Sequence, residues 1–345
     1  MSSESNSGAD SSNAPSSNES TLPKCTSEWD NRFVDKLGVR LIEEDIFQII
    51  LGKWRLVCLT EDEELEVENS VMACDLQLNY SSLEDVPVEY IYESSWVLSP
   101  GQVEQIRRFP LLKKFLVKLD DFNFILAEII VGSNSKSAIS GGRYETLFDK
   151  LLQLFGLNTL NHSFISPEKA LIRRRSMSSR ADLMVCSQAR QKFKRKVVFI
   201  CKVKKDLQEE PDSSPPRKKQ RTATQEQEQP GGGFIGDHNL LTQHIGELFV
   251  YLDSSLSRQG TLGFTIEKTW VRVTYLDVTK SGWSKIKNNP SNRAGSTQYE
   301  EGEQPRFFYS KRYNFLNRED RKVLFKAILL IRTMQERRDA HRPST

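Results

Sequence analysis

Runs of apolar residues at helical or alternating spacing divide the chain into elements. "RFVDKLGVRLIEEDIFQIIL" (32–51) carries apolar residues at helical spacing and predicts a helix, and "WRLVCL" (54–59) predicts a short strand. "SPGQVEQIRRFPLLKKFLVKL" (99–119) predicts a helix with Ser99 as N-cap, Pro100 at its first position and a break at Pro110. "FNFILAEIIV" (122–131) fits either a buried strand or a helix. "RYETLFDKLLQLFGL" (143–157) predicts an amphipathic helix with Leu147, Leu151, Leu154 and Phe155 on one face. "ADLMVC" and "KVVFICKV" predict a hairpin across the basic turn "SQARQKFKR". "HNLLTQHIGELFVYLDSSL" predicts the next helix, and "TLGFTIE" and "WVRVTYLD" predict two strands joined tightly at Lys268 and Thr269. "NREDRKVLFKAILLIRTMQERRD" predicts a long closing helix capped by Asn317, with Val323, Leu324, Ala327, Ile328 and Ile331 facing a core.

The polar stretches between these runs suggest an organisation. Residues 1–27 are rich in Ser, Asn and Glu and too poor in apolar residues to offset their ordering entropy, so a disordered tail is expected. "GSNSKSAISGG" (132–142) reads as a linker, separating a small α+β domain over 28–132 from a second domain over 141–345. "LQEEPDSSPPRKKQRTATQEQEQPGGG" implies a disordered insert over 206–236 within the second domain.

Net charge is only +3, so its distribution matters more than its sum. Twelve Lys and Arg stand against one acid, Asp182, from Leu171 to Lys205, whereas Glu61–Glu68 holds six acids and no base. That opposition suits a basic face on one part of the molecule and an acidic face on another. The five cysteines are scattered, without a CxxC pair, which argues against structural zinc and for a reducing compartment. The first residues lack the apolar core of a secretory signal, and no apolar run reaches the length of a membrane span. His238 and His244 are six apart, not the four of a helical metal pair.

The chemistry concentrates around "VVFICKVKKD" (197–206), a buried strand with a basic end. From Gly141 the predicted order is helix, three strands, helix, strand, with charged residues at element ends. Over about Gly141–Asp277, roughly 40% of the chain, this resembles the PD-(D/E)XK nuclease-like superfamily, whose core is an αβββαβ sandwich. It is more narrowly similar to the degenerate members in crinkler-type effectors and in the region preceding fungal-type protein kinases. The resemblance implies an α/β fold with a restriction-endonuclease-like core, preceded here by the small α+β domain. On its motifs, Glu145 in "RYETLFDKLL" would hold the helix-borne acid and Asp182 in "SRADLMV" the metal-binding aspartate, with Ala181 where Pro is common. "FICKVKK" would be the (D/E)-x-K strand, and Gln243 would take the helix glutamine position.

Phosphodiester hydrolysis needs phosphate charge neutralised and a water activated, and Mg²⁺ held by a few carboxylate oxygens does both. Residues i and i+2 of a strand share a face, so an acid and a lysine at that spacing enter one site. Here Val198, Ile200, Lys202 and Lys204 share a face. If Lys204 is the family's lysine, the acid position holds Lys202; if Lys202 is, it holds Ile200. Neither register supplies a carboxylate. A like-charge contact near 4 Å costs roughly 4 kcal/mol at an effective dielectric of about 20, enough to empty a weak metal site. No resident cofactor is therefore expected, with Mg²⁺ at Asp182 only if Glu145 or Asp206 migrates in as a substitute acid.

Three functions follow as expectations. The first is a non-catalytic nuclease-fold protein that binds DNA or RNA through Arg173, Arg174, Arg175, Arg180, Lys202 and Lys204. The second is an active Mg²⁺-dependent nuclease using Asp182. The third is a protein-interaction scaffold, or a host-directed effector as the resemblance implies, whose acidic N-terminal domain docks a protein partner. No membrane partner is expected. "RRRS" (173–176) also resembles a basophilic kinase site. "PPRKKQR" supplies Arg217, Lys218, Lys219 and Arg221, a cluster that a nuclear import receptor reads, so nuclear location is expected, with a cytoplasmic pool. Replacing those four residues with Ala should abolish nuclear enrichment of a fluorescent fusion; undiminished enrichment would remove the cluster as the signal.

Overall fold

The computed structural model describes residues 23–88, 98–135, 139–187, 195–204, 238–257, 259–289 and 296–341. Among these, the fold is mixed α/β, built on one large mixed sheet with helices on both faces. The centre is β6 (Val197–Val203), buried along almost its whole length because both faces are covered. β5 (Leu183–Cys186) pairs antiparallel with it, as the hairpin pattern predicts, and β2 (Thr159–Asn161) closes that edge. On the other side β7 (Gly260–Glu267) runs parallel to β6. β8 (Trp270–Asp277) turns back antiparallel through Lys268, which adopts φ +55° in the tight turn. β9 (Arg306–Tyr309) and the short β10 (Tyr313–Asn314) both pair with β8.

The N-terminal segment does not stand apart from this sheet. α1 (Asn31–Lys36) is capped by Asp30, whose carboxylate accepts from the Phe33 amide at 2.8 Å. The chain then turns at Gly38, φ +67°, where an added Cβ would lie 2.8 Å from the Tyr299 ring. Beyond it β1 (Arg40–Glu43) joins the sheet parallel to β9, with Arg40 opposite Arg306. The continuous helix expected over 32–51 is thus replaced by a helix, a strand and a π-helical segment, Gln48–Trp54. Residues 55–60 form no strand either; they lead into α2 (Glu61–Ala73), whose N-cap Thr60 shares a capping box with Glu63.

α3 (Pro100–Arg107) starts at Ser99, whose amide donates to Gln102 at 2.8 Å, and the chain breaks at Pro110 as expected. α4 (Phe115–Asn134) absorbs "FNFILAEIIV" as helix and runs into the expected linker, and α5 (Gly141–Leu154) follows soon after. The boundary at 132–142 is not a break in the core. One buried cluster joins Val67 of α2, Phe115 and Phe122 of α4, and Leu147 and Phe148 of α5 to Cys201, Val203 and Phe264 of the sheet. α8 (Arg318–Ala340) packs into the same cluster through Leu324, Ile328 and Ile331. Its N-cap is Asn317, whose side-chain oxygen accepts from the Glu319 and Asp320 amides, both at 3.1 Å. The opposite face carries a second cluster, with α1, α6 (His238–Tyr251) and α7 (Lys280–Asn288) over Ile200, Leu276 and Phe307. A separate hairpin, β3 (Glu168–Ile172) with β4 (Arg175–Ser179), covers the outer side of that cluster.

Arg321 welds the two ends of the chain together. It is 2% exposed, and its guanidinium donates to the Phe315 and Leu316 carbonyls (3.0 and 3.1 Å) and to those of Leu76 and Leu78 (2.7 and 2.6 Å). Burial pushes its pKa down to about 10, which leaves it charged at neutral pH. Arg321→Met should lower stability by about 3 kcal/mol, because four buried carbonyls lose a charged donor. Urea unfolding should show a lower midpoint with an unchanged slope; an unshifted midpoint would deny Arg321 this role.

Candidate functional site

Asp182 stands immediately before β5, where the chain is fixed by its backbone. The Ala181 amide donates to the Tyr251 hydroxyl at 3.2 Å, and the Asp182 amide donates to the Cys201 carbonyl at 3.2 Å. Its carboxylate accepts from the Val203 amide at 2.9 Å, and the residue is 2% exposed. Strand alternation sends Lys202 to the α6 side of β6. There its Nζ lies 2.9 Å from Glu247 Oε1 and 3.7 Å from Asp182 Oδ2. Glu247 belongs to α6 and is also 2% exposed. One ammonium is therefore shared by two buried carboxylates. Burial alone would pull the Lys202 pKa down, but Glu247 and Asp182 outweigh it and hold the value above the ordinary 10.5.

His244 extends the network along α6. Its Nε2 lies 2.8 Å from Thr274 Oγ1, and its Nδ1 lies 3.8 Å from Glu247 Oε2. Neither Nδ1 nor Oε2 has a hydrogen-bond partner among the described residues. A ring lone pair facing a carboxylate is repulsive, so this geometry favours the tautomer with its proton on Nδ1. The ring fits because residue 263 of the facing strand is glycine: a Cβ there would lie 2.5 Å from His244 Nε2.

Only part of the expected site converges here. Asp182 and Lys202 meet. Glu145 is on α5, which packs on the other face of the sheet. Together with Asp182, Asp149 and Glu247 it adds to the burial that pushes the Cys201 thiol well above its usual range. Lys204 pairs with Glu267 at 2.7 Å. Gln243 does not enter the site; its Nε2 donates to the Ser27 carbonyl at 3.3 Å and ties down the N-terminal segment. Asp206, the 206–236 insert and the cluster Arg217, Lys218, Lys219 and Arg221 lie outside the described residues, as does nearly all of the 1–27 tail.

The basic run is similarly divided. Arg173 and Arg174 form the β3–β4 turn, with φ +50° and +61°, and their amides donate to the Ile286 and Lys287 carbonyls, both at 2.9 Å. Arg174 Nε adds a bond to the Asn288 carbonyl at 2.9 Å. The turn thus caps the C-terminal end of α7, where carbonyls point outward and cations are favourable. Arg173 is 1% exposed, so it is not a surface contact for phosphate, and "RRRS" is not presented as a free extended peptide. Arg174, Arg175 and Arg180 are exposed. Lys202 is committed to its carboxylates.

Glu247 and His244 are the residues that the motif reading missed. The available signal was local: within "LLTQHIGELFVYL", His244 and Glu247 are the one imidazole and the one carboxylate, and their i, i+3 spacing puts them on one helix face. The donor chemistry of Asp182 and Glu247 suits Mg²⁺, but Lys202 already lies against both carboxylates and would repel a second cation. The residues present do not fit a resident metal. Among the described residues, no group of three or more His, Cys, Asp or Glu is arranged to hold one. No family model matches the chain, and no curated protein or solved structure matches it.

Lys202→Met should cost about 3–5 kcal/mol at neutral pH, the usual penalty for stranding a buried partner charge. In the native protein, the raised lysine pKa means that the folded state holds this proton more tightly. Its stabilisation is complete below the ordinary 10.5 and is lost as pH rises through the folded value. Lys202→Met should lack that alkaline loss. Urea titrations across pH would detect the difference; parallel profiles for the two proteins would refute the network.

Proposed function

We propose that this chain is a non-catalytic nuclease-like module that binds nucleic acid without cutting it, with Lys202 in the place that a metal would take. The observation that carries this reading is the Lys202 ammonium between Asp182 and Glu247. One ammonium offsets one of the two negative charges, but it offers no open coordination position and activates no water. The finer kinship with the PD-(D/E)XK fold is supported by order: α5, β2, β5, β6, α6 and β7 follow one another as αβββαβ, and β2, β5, β6 and β7 are consecutive in the sheet. The β3–β4 hairpin is then an insertion. Nucleic acid would be held by the exposed Arg174, Arg175 and Arg180, a contact with phosphates and not with bases. Import through the cluster at 217–221 would bring the module to nuclear nucleic acid.

Asp182 and Glu247 reaching one cation also supports a second reading, in which Glu247 is the migrated acid of an active nuclease. Three measurements separate the two. The wild-type protein should show no heat of Mg²⁺ or Mn²⁺ binding in calorimetry and no cleavage of DNA or RNA. Lys202→Glu, which places an acid two residues before Lys204, should gain measurable Mn²⁺ binding. Fluorescence anisotropy should show salt-dependent oligonucleotide binding, with each Arg→Ala change at 174, 175 or 180 lowering the salt slope by roughly 0.7–0.9. Metal-dependent cleavage lost in both Asp182→Ala and Glu247→Gln would overturn the first reading in favour of the second. Absence of oligonucleotide binding at low salt would remove the nucleic-acid function.

A further inference from the structure

α2 uses its two sides differently. On its inner side Val67 and Val71 enter the core. Glu63 and Glu68 reach the basic side chains of the neighbouring α8, with Glu63 2.5 Å from Arg337 and Glu68 paired with Lys326. An apolar centre with acids meeting basic flanks is therefore how this helix already binds another helix. The outer side repeats the pattern. Leu65 is 59% exposed and Met72 64% exposed. They are seven residues apart, two turns along one stripe and about 10 Å of helix axis. Exposed Glu61, Asp62 and Glu64 stand beside them, and the helix carries no basic residue.

Such a stripe serves no internal need, because Val67, Ser70, Val71 and Ala73 already anchor the helix. Leu and Met at 65 and 72 expose two large apolar side chains where Glu or Lys would cost nothing. Helix-to-helix contacts recur with a seven-residue repeat, and acidic flanks select a basic partner and reject an acidic one.

We propose that the outer face of α2 is a docking surface for a basic amphipathic helix of another protein. Leu65 and Met72 would pack against an apolar stripe of that helix, and Glu61, Asp62 and Glu64 would pair with its flanking Lys or Arg, as Glu63 and Glu68 do with α8. A second copy of this chain is the competing occupant, and an extended basic peptide recognised by charge alone is another.

The full chain would be titrated with a fluorescein-labelled 18-residue helical peptide bearing Leu at heptad spacing and Lys on both flanks. The control is a peptide of identical composition with the Leu positions scrambled. The expected result is binding of the heptad peptide at least tenfold tighter than the control. Leu65→Ser with Met72→Ser should remove that preference, while an unchanged unfolding midpoint shows that the fold is intact. Glu61→Lys with Glu64→Lys should weaken binding at low salt and flatten its salt dependence. Equal affinity for both peptides would overturn the proposal in favour of a charge-only contact. No binding of the heptad peptide would also overturn it. Self-association in sedimentation equilibrium, lost in the Leu65/Met72 double variant, would assign the face to a second copy.

Discussion

The ammonium of Lys202 between two buried carboxylates is the interaction on which the centre of the molecule depends. Asp182 and Glu247 are each nearly inaccessible to water, where a carboxylate without a counter-charge is costly. Lys202 supplies it from an interior strand of the sheet. The pairing fixes α6 against β6 from one side and the start of β5 from the other, so three elements share one electrostatic contact. The carboxylates hold the ammonium charged to a higher pH than usual, although its burial acts the other way. A single cation is thus both a structural pin and the reason that the site does not suit a metal.

A second buried cation has a comparable role at the other end of the sheet. Arg321 gathers four carbonyls from segments some 240 residues apart in the chain. Such a donor fork is worth burying because it serves four carbonyls at once, of which that of Leu316 also accepts from the Tyr80 amide. With β1 pairing to β9, it makes the N-terminal segment part of the same fold. The helices on either side of 132–142, α4 and α5, pack into one core cluster.

The basic run from Leu171 to Lys205 shows how charge counted along a sequence differs from charge offered to solvent. Arg173 is buried, Arg174 caps a helix end, Lys202 is neutralised and Lys204 faces Glu267. Among the described residues of the run, Arg174, Arg175, Arg180 and Arg195 are exposed. The acid-rich α2 divides in the same way, with part of its charge spent on α8 and part facing outward beside Leu65 and Met72.

Several elements were legible in the sequence because their cause is local. α5, α6 and α8 follow from apolar periodicity, the β7–β8 turn from its two intervening residues, and the start of α8 from Asn317. The sharing of one strand face by Lys202 and Lys204, with no carboxylate beside them on that face, was also legible, since side chains alternate along a strand. The strand β1 was not, because the apolar spacing of 32–51 fits a helix equally well until its parallel partner β9, far along the chain, claims Arg40–Glu43. Nor were Glu247 and His244, whose importance comes from the packing of α6 over the face that carries Lys202. The sequence by itself determined which residues could be buried, which could cap and that two lysines share one strand face. The tertiary structure alone decided which carboxylates meet Lys202, because charges from a strand, a loop and a helix become neighbours only when the sheet and its covering helix assemble.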